Sequence, residues 1–171
     1  MTGTTPEFSR RIPLARIGAE PLRQTIVATE AERAALAARF GLVAVDSLSA
    51  EIELVRQGRD RIALRAEYSA EFVQSCVVTL DPVRGAVSER FALLYGPPES
   101  EEEAGAIEDD VAFEPLVEDT IDIGEAVAQE LSLALPPFPR SPDAAVEIVP
   151  VASDEAGPFT ALSRLFDRRQ D

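Results

Sequence analysis

The sequence predicts an α+β fold, with a strongly curved, barrel-like antiparallel β-sheet and two principal α-helices. In the run from Arg61 to Leu80, apolar side chains occupy nearly every second position, which is the period of a strand with one buried face. Helix-start signals occur at Thr29 and at Asp122. A straight strand of this length would span roughly 60 Å. We therefore expect the run to bend strongly or break, with the bend between Ser69 and Gln74, and to line one side of a barrel.

Two short strands are expected before the first helix. They are Phe8 to Ile17 and Leu22 to Ala28, and the turn residues Gly18 to Pro21 separate them. Proline has no amide hydrogen to donate to a neighbouring strand, so Pro13 favours a sheet edge for the first of them.

The first helix is predicted by a capping box. Thr29 and Glu32 have the spacing at which each side chain accepts a hydrogen bond from the other residue's amide. The helix then runs to Phe40 and ends at Gly41, where a left-handed cap costs little. Its expected buried stripe is Ala31, Ala35, Leu36, Ala38 and Phe40.

A hairpin and a return strand complete the predicted sheet. Leu48 to Val55 alternates and leads through a turn at Gln57 to Asp60 into the long central strand. After Leu80, the segment Asp81 to Gly85 has turn residues, because proline presets its dihedral angle and glycine accepts a positive one. A return strand is expected from Val87 to Tyr95.

The second helix is predicted from Asp122 and Glu125, which also have capping-box spacing. Pro136 and Pro137 end this helix because proline cannot continue it. The expected buried positions are Ile123, Val127, Leu131 and Ala134.

These elements indicate one domain. Residues 1–7 are small and polar and are expected to be flexible, and residues 8–152 form the α+β domain. Residues 153–171 form a C-terminal tail. A short strand is expected at Val146 to Val151, and a short amphipathic segment at Pro158 to Phe166.

The composition excludes several kinds of chemistry. Arginine supplies all 16 basic residues, 31 acidic residues give a net charge of -15, and the chain has no histidine and a single cysteine, Cys76. A Ser-His-Asp triad, a histidine metal site and an internal disulfide are therefore excluded. We expect no enzyme activity, no cofactor and no metal, although a pair of carboxylates that meets only in the fold stays open. Cys76 is expected to be buried as a small apolar residue, since nothing nearby in the sequence would lower its pKa.

The location is predicted from hydropathy. The N-terminus has no apolar core of signal-peptide length, and the chain has no apolar run of about 18 residues. We therefore expect a soluble, cytoplasmic protein.

Acidic residues are concentrated in one segment. Residues 91–139 contain no basic residue, and we call residues 97–119 the acidic arm. Runs of like charge favour a solvated loop, but the arm is also suited to binding a basic partner. It lacks the ligand spacing of a calcium loop. The candidate partner-binding residues are Glu101, Glu102, Glu103, Glu108, Asp109 and Asp110.

Arginines near the two ends offer a different site. A net charge of -15 repels RNA, so RNA contact would need a local basic patch. Pairing of these arginines with nearby acids is the simpler interpretation. The candidate RNA-contacting residues are Arg10, Arg11, Arg16, Arg164, Arg168 and Arg169, with Arg23 beside the first three.

Three segments, in this order, resemble the YceD family, the large ribosomal RNA subunit accumulation proteins. They are Cys76 to Val83, Asp119 to Pro136, and Pro158 to Leu162. The resemblance implies a bacterial, cytoplasmic factor that supports production or survival of large-subunit ribosomal RNA, with no enzyme activity.

The chain departs from that family at one place. Many members resemble Cys-x-x-Cys-Leu at the strand end and carry another cysteine or histidine after the helix, which invites a metal site. Here Thr79 takes the second cysteine position, and the later segment, Pro136 to Ser141, has neither residue. We therefore predict a metal-free ribosome-biogenesis factor whose acidic arm contacts a basic ribosomal or assembly protein. The alternative is an RNA-contacting module that uses the arginine patches.

Overall fold

The computed structural model describes residues 6–58, 60–98, 111–116 and 118–145. Within these ranges the fold is α+β with two α-helices, as predicted, and no helix there is long and apolar enough to cross a membrane. The predicted strand at Val146 to Val151 and the amphipathic segment at Pro158 to Phe166 lie outside these ranges. The strands are β1 (Arg11–Pro13), β2 (Leu22–Val27), β3 (Ala44–Gln57), β4 (Arg61–Ser75), β5 (Pro82–Gly96), β6 (Ala112–Pro115) and β7 (Thr120–Asp122). The helices are α1 (Glu30–Phe40) and α2 (Ile123–Ala134), and a short 3-10 helix covers Leu14–Arg16.

The main sheet has five strands in the order β2-β3-β4-β5-β6. β2 to β5 pair antiparallel, whereas β6 runs parallel to β5. The edge strands β2 and β6 do not pair with each other, so the sheet stays open. β4 is one continuous strand that pairs with β3 and β5 along nearly its whole length. The prediction of a strongly curved, barrel-like sheet is therefore wrong.

The buried face of the sheet is covered by helices instead of by closure of the sheet. Ile52, Leu64 and Tyr68 point to this face and are almost completely buried. They belong to one hydrophobic core together with Leu36 of α1 and Val127 of α2. Alternation in the sequence indicates that one face is buried, but it does not indicate what covers that face.

The β4–β5 turn lies earlier than predicted. β4 ends at Ser75, and the turn covers Cys76 to Asp81, where the Leu80 amide donates to the Cys76 carbonyl at 2.9 Å. Gly85 lies inside β5 opposite Phe72, not in the turn. A Cβ atom on Gly85 would lie 2.5 Å from the Phe72 ring. Contact with this ring, not turn geometry, therefore requires the glycine.

Helix α1 begins and ends as predicted. The capping box between Thr29 and Glu32 is present, and Gly41 has the left-handed conformation, with φ of 66°. The predicted buried stripe is only partly right. Leu36 and Ala37 are buried, Ala35 and Phe40 are half-buried, and Ala31 and Ala38 are exposed. The helix contacts the sheet with a narrower face than the apolar pattern predicted.

Helix α2 is capped by Asp122, whose carboxylate accepts the amides of Gly124 and Glu125, each at 3.2 Å. Glu125 itself binds Arg39 of α1 through two hydrogen bonds of 2.7 and 2.8 Å. The predicted buried positions Ile123, Val127 and Leu131 are confirmed, and Ala134 is half-buried. The Arg39–Glu125 pair therefore joins the two helices directly.

The N-terminal segment closes over the start of α2. Phe8 is fully buried, and β1 pairs with β7. The Arg10 amide donates to the Asp122 carboxylate at 2.7 Å, and the Ile123 amide donates to the Arg10 carbonyl at 3.1 Å. Asp122 therefore holds the helix start and the N-terminal segment together.

Candidate functional site

The acidic arm leaves the main sheet and returns to it at the same edge. β5 ends at Gly96, and β6 lies beside the end of β5 within the arm. The Leu116 amide donates to the Gly96 carbonyl at 2.7 Å. The sequence did not indicate β6. The predicted partner-binding residues Glu101, Glu102, Glu103, Glu108, Asp109 and Asp110 lie outside the described residues.

Three carboxylates, one of them within the arm, lie on neighbouring elements of the fold. They are Glu89 on β5, Glu114 on β6 and Glu130 on α2, and we call them the acidic surface. None of them forms an ion pair within the described ranges. Partial burial raises the pKa of Glu130, and the charges of Glu89 and Glu114 raise it further. These three carboxylates therefore carry negative charge that no ion pair within the described ranges neutralises.

Two tyrosines lie beside the acidic surface and are affected by its charge. Burial, followed by the charges of Glu89 and Glu130, raises the pKa of Tyr68 to about 12. The Tyr68 hydroxyl donates to the backbone carbonyl of Glu130 at 3.3 Å. Burial raises the pKa of Tyr95 as well, and Glu114 is the next largest cause. Because Glu89 and Glu114 are exposed, the arrangement is suited to attracting cations at the surface.

One residue of the acidic surface, Glu89, interrupts the apolar pattern of β5 in the sequence. Glu89 occupies the same face of β5 as Val87 and Phe91, and it lies opposite Tyr68. A charged residue on the apolar face of a strand is unusual, and it indicates a position where that face meets solvent. Glu89 and Glu114 each lie near Glu130 only through long-range folding.

Arg10 and Arg11 of the proposed RNA patch are held by acidic residues. Arg10 donates to Glu32 at 2.6 and 3.0 Å, and this hydrogen bond holds the pKa of Glu32 at about 2. Arg11 binds Glu118 and also donates to Thr120 at 2.8 Å. Their guanidinium groups therefore have carboxylate partners already.

The remaining arginines do not form a described patch with these two. Arg16 is exposed, and Arg23 pairs with Glu53 at 2.9 Å. Arg164, Arg168 and Arg169 lie outside the described residues.

Cys76 is fully buried, as predicted. Its Sγ atom accepts the amides of Val78, Thr79 and Ser141 at 3.4, 3.5 and 3.3 Å. The hydroxyl of Thr79 and the amides of Ser141 and Thr79 lower the pKa of the thiol to about 6. The expectation that nothing would lower this pKa is wrong, because Thr79, only three positions away, makes the largest contribution and the amide of the distant Ser141 makes the next largest.

The turn after β4 and the segment after α2 are joined by hydrogen bonds. The Gln74 side chain donates to the Pro136 carbonyl at 3.0 Å, and the Val77 amide donates to the Pro139 carbonyl at 2.9 Å. Around Cys76 the structure places the hydroxyl of Thr79 and the amide of Ser141.

No group of three or more histidine, cysteine, aspartate or glutamate side chains that could hold a metal occurs in the part of the chain that the structure describes. This donor set does not fit a zinc site, which needs cysteine or histidine as most of four ligands.

Replacement of Cys76 by serine is expected to remove a pH-dependent part of the stability. The thiol pKa is about 6 in the folded protein, against an ordinary value of 9.0. Between these values the unfolded chain binds more protons than the folded protein, so the thiol's contribution grows as pH rises. It is complete above pH 9 and is lost as pH falls to 6. Urea unfolding at several pH values should show a wild-type advantage over Cys76→Ser that increases from pH 6 to pH 9. A constant difference would contradict the low pKa.

The fold and the surface define an acidic α+β domain, with two helices on one face of an open sheet and with carboxylates on β5 and β6 that lie near Glu130 of α2. The family model for the large ribosomal RNA subunit accumulation protein YceD matches residues 64–160. The match covers more than half of the chain, so the protein belongs to the YceD family. Comparison with curated proteins found no match, and comparison with solved structures found none either.

Proposed function

We propose that this protein is a non-enzymatic, cytoplasmic ribosome-biogenesis factor that supports accumulation of large-subunit ribosomal RNA by binding a basic ribosomal or assembly protein. Membership of the YceD family supports the role in ribosomal RNA accumulation. The negative charge of the acidic surface supports the proposal that the partner is positively charged. The observation that carries the proposal is that Glu114, on β6 within the acidic arm, and Glu89, on β5, both lie near Glu130 of the folded domain.

Electrostatics favours a cationic partner at this edge. Uncompensated charge attracts an oppositely charged protein over a distance of about 8 Å at physiological salt, and it raises the rate of association. The arm also contains further acidic residues in its sequence, and its described ends lie at this sheet. A basic protein segment would therefore meet negative charge from the folded surface and from the arm together.

Direct binding of RNA is the alternative, and the structure favours it less. RNA contact by Arg10 and Arg11 would require these side chains to exchange Glu32 and Glu118 for phosphates. Each phosphate contact would also be made by a chain with a net charge of -15.

The triple variant Glu89→Gln/Glu114→Gln/Glu130→Gln is expected to capture basic ribosomal proteins about tenfold more weakly, because each surface charge contributes up to about 1 kcal/mol. The measurement is a pull-down titrated with salt, in which the difference should shrink as salt rises. Glu20→Gln/Glu51→Gln/Glu71→Gln is the matched control, because it removes the same charge from exposed positions elsewhere. An equal loss of capture in both variants would mean that the net charge of the protein, and not the acidic surface, causes the weaker binding.

Two further measurements complete this test. A deletion strain should lose large-subunit ribosomal RNA, and the wild-type protein should restore it better than the triple variant does. Neutralising the six arm residues Glu101 to Asp110 should also weaken capture, and unchanged capture would exclude the arm from the mechanism. Tight capture of bare ribosomal RNA, with no protein present, would overturn the proposal in favour of direct RNA binding.

A further inference from the structure

One edge of the main sheet is long, regular and unpaired in the described part of the chain. β2 pairs with β3 over all 6 of its residues without a bulge, and no other described strand pairs with it. The opposite edge strand, β6, has only 4 residues and ends at Pro115. Short length, proline and bulges are common devices that keep a sheet edge from pairing with another chain. β2 has none of these devices.

The direction of the backbone groups along β2 follows from one hydrogen bond. Just after the strand, the amide of residue 28 donates to the Leu48 carbonyl of β3 at 2.9 Å. In an antiparallel pair, successive residues direct their backbone groups alternately toward the partner strand and away from it. Arg23, Thr25 and Val27 therefore direct their amides and carbonyls away from β3. Among the described residues, the one partner of these groups is the Arg10 guanidinium, 3.4 Å from the Val27 carbonyl.

The side chains of these three residues lie on the face of the sheet that the helices do not cover. All three are exposed, and Val27 is 61% exposed. β2 contains one charged residue, Arg23, and no acid, although the chain has a net charge of -15. The Arg23 guanidinium pairs with Glu53 of β3 at 2.9 Å. Two copies of this acidic chain can therefore approach at β2 without opposing carboxylates on the pairing strands.

The described strand that best matches this edge is β2 of a second copy. β2 is the longest of the described strands that have an unpaired edge. Two-fold pairing must place outward-directed residues opposite each other, because both members of a hydrogen-bonded pair point to the other strand. Pairing centred on Thr25 places the two Thr25 residues opposite each other and places Arg23 opposite Val27 of the second copy. This register forms about six backbone hydrogen bonds, whereas pairing centred on Gln24 or Ile26 forms about four.

We propose that β2 pairs antiparallel with β2 of a second copy about a two-fold axis at Thr25, so that two five-stranded sheets join into one. The threonine pair, and the contact of Val27 with the aliphatic part of Arg23, add side-chain contacts on the open face. No like charges lie opposite each other in this register. The dimer covers the exposed Val27 and leaves the acidic surface unused, so the inference is independent of the proposed function.

Charges introduced at Val27 test both the dimer and its register. Val27→Glu places a carboxylate opposite Arg23 of the second copy, twice in each dimer, and should lower the dissociation constant of the dimer about fivefold relative to the neutral variant Val27→Gln. Val27→Arg places like charges opposite each other and should raise the constant about fivefold. Net charge predicts the reverse order, because Val27→Glu makes each copy more negative and Val27→Arg makes it less negative. Sedimentation equilibrium at physiological salt measures these constants.

Val43 provides the matched control for these variants. It is 57% exposed, close to the value for Val27, but it precedes β3 and does not belong to the β2 edge. Val43→Glu and Val43→Arg should therefore change the dissociation constant only in the order that net charge predicts. If the Val27 variants also follow that order, the proposed register is overturned.

Proline at position 25 tests the backbone pairing directly. Thr25→Pro removes an outward-directed amide and leaves the hydrogen bonds between β2 and β3 in place, because the Thr25 amide points away from β3. The variant should be monomeric at concentrations where the wild type is dimeric. Thr25→Val, which keeps the amide, should remain dimeric. Unchanged hydrogen exchange in β4 would show that the proline variant is folded, and a folded proline variant that still dimerises would contradict the proposal.

A disulfide across the two-fold axis gives a third test. The Cα atoms of a hydrogen-bonded antiparallel pair lie about 5.5 Å apart, which suits a disulfide. Thr25→Cys should therefore form a covalent dimer on mild oxidation, since the native Cys76 is buried. Ser69→Cys, exposed on the central strand β4, should not form one. A wild-type protein that stays monomeric up to about 1 mM, or equal cross-linking of both cysteine variants, would overturn the proposal.

Discussion

Replacement of Gly124 by alanine is expected to destabilise the protein by about 3 kcal/mol, although alanine normally favours a helix by about 1 kcal/mol. A Cβ atom at this position would lie 2.2 Å from the backbone carbonyl oxygen of Phe8 and 3.1 Å from the Arg10 nitrogen. Both are backbone atoms, so no side-chain rotation relieves the overlap. The N-terminal segment must move away from α2 and expose Phe8. Thermal unfolding should show a melting temperature lower by about 10 °C.

Gly18 provides the matched control for this prediction. A Cβ atom there would meet nothing within 4 Å, so Gly18→Ala should change the stability by less than about 0.5 kcal/mol. In Gly124→Ala, hydrogen exchange should also accelerate in β1, which pairs with β7 next to the disturbed contact. A Gly124→Ala protein as stable as the wild type would show that Phe8 and α2 are not in close contact.

Replacement of Tyr68 by alanine is expected to cost about 4 kcal/mol, within the range for removing a large aromatic ring from a core. Tyr68 is 2% exposed, and its ring makes an edge contact with Phe91 at a centroid distance of 6.0 Å. The cavity would lie under α2, at the helix that carries Glu130. We therefore expect the variant to unfold at lower urea concentration and to capture basic partners more weakly.

Tyr68→Phe separates the ring from the hydroxyl group. It keeps the packing and removes the hydroxyl group, with its 3.3 Å hydrogen bond to the Glu130 carbonyl and its interaction with Glu89, so it should cost about 1 kcal/mol. Equal losses in Tyr68→Phe and Tyr68→Ala would mean that the hydrogen bond, and not the ring, stabilises this part of the core.

The parts of the fold that depend on local chemistry were predicted well. Thr29, Glu32 and Gly41 define α1 through hydrogen bonds within a few residues of each other. Asp122 defines the start of α2 in the same way. The alternation along β4 gave the buried face correctly because a strand imposes a period of two on its side chains. Each of these features is complete within a short stretch of sequence.

The failures all involve partners that are distant in sequence. Val77 fits the alternating pattern poorly, but Leu80 fits it well and still lies in a turn. The amide of Val77 binds Pro139, and Cys76 binds Ser141, and neither contact can be read from the strand. The sheet stays open because α1 and α2 cover its apolar face, which is a property of the assembled fold.

The sequence indicated that the candidate site is negatively charged, but it did not indicate which described residues form it. The high density of acids in the arm indicated a basic partner. The sequence did not indicate that Glu89 and Glu114 each lie near Glu130, because β5, β6 and α2 meet only in the assembled fold. It also did not show that Arg10 binds Glu32 across 22 positions.

The parallel pairing of β6 with β5 has a consequence for how the arm can vary. β6 begins level with Leu93, three positions before β5 ends at Gly96. The connection therefore joins points separated by only about 10 Å along the strands. Loop-closure entropy rises by about 0.6 kcal/mol for each doubling of loop length. Changes in the length of the connection between the two anchor points therefore add little loop-closure entropy, so selection can adjust its length to a partner at small cost to folding.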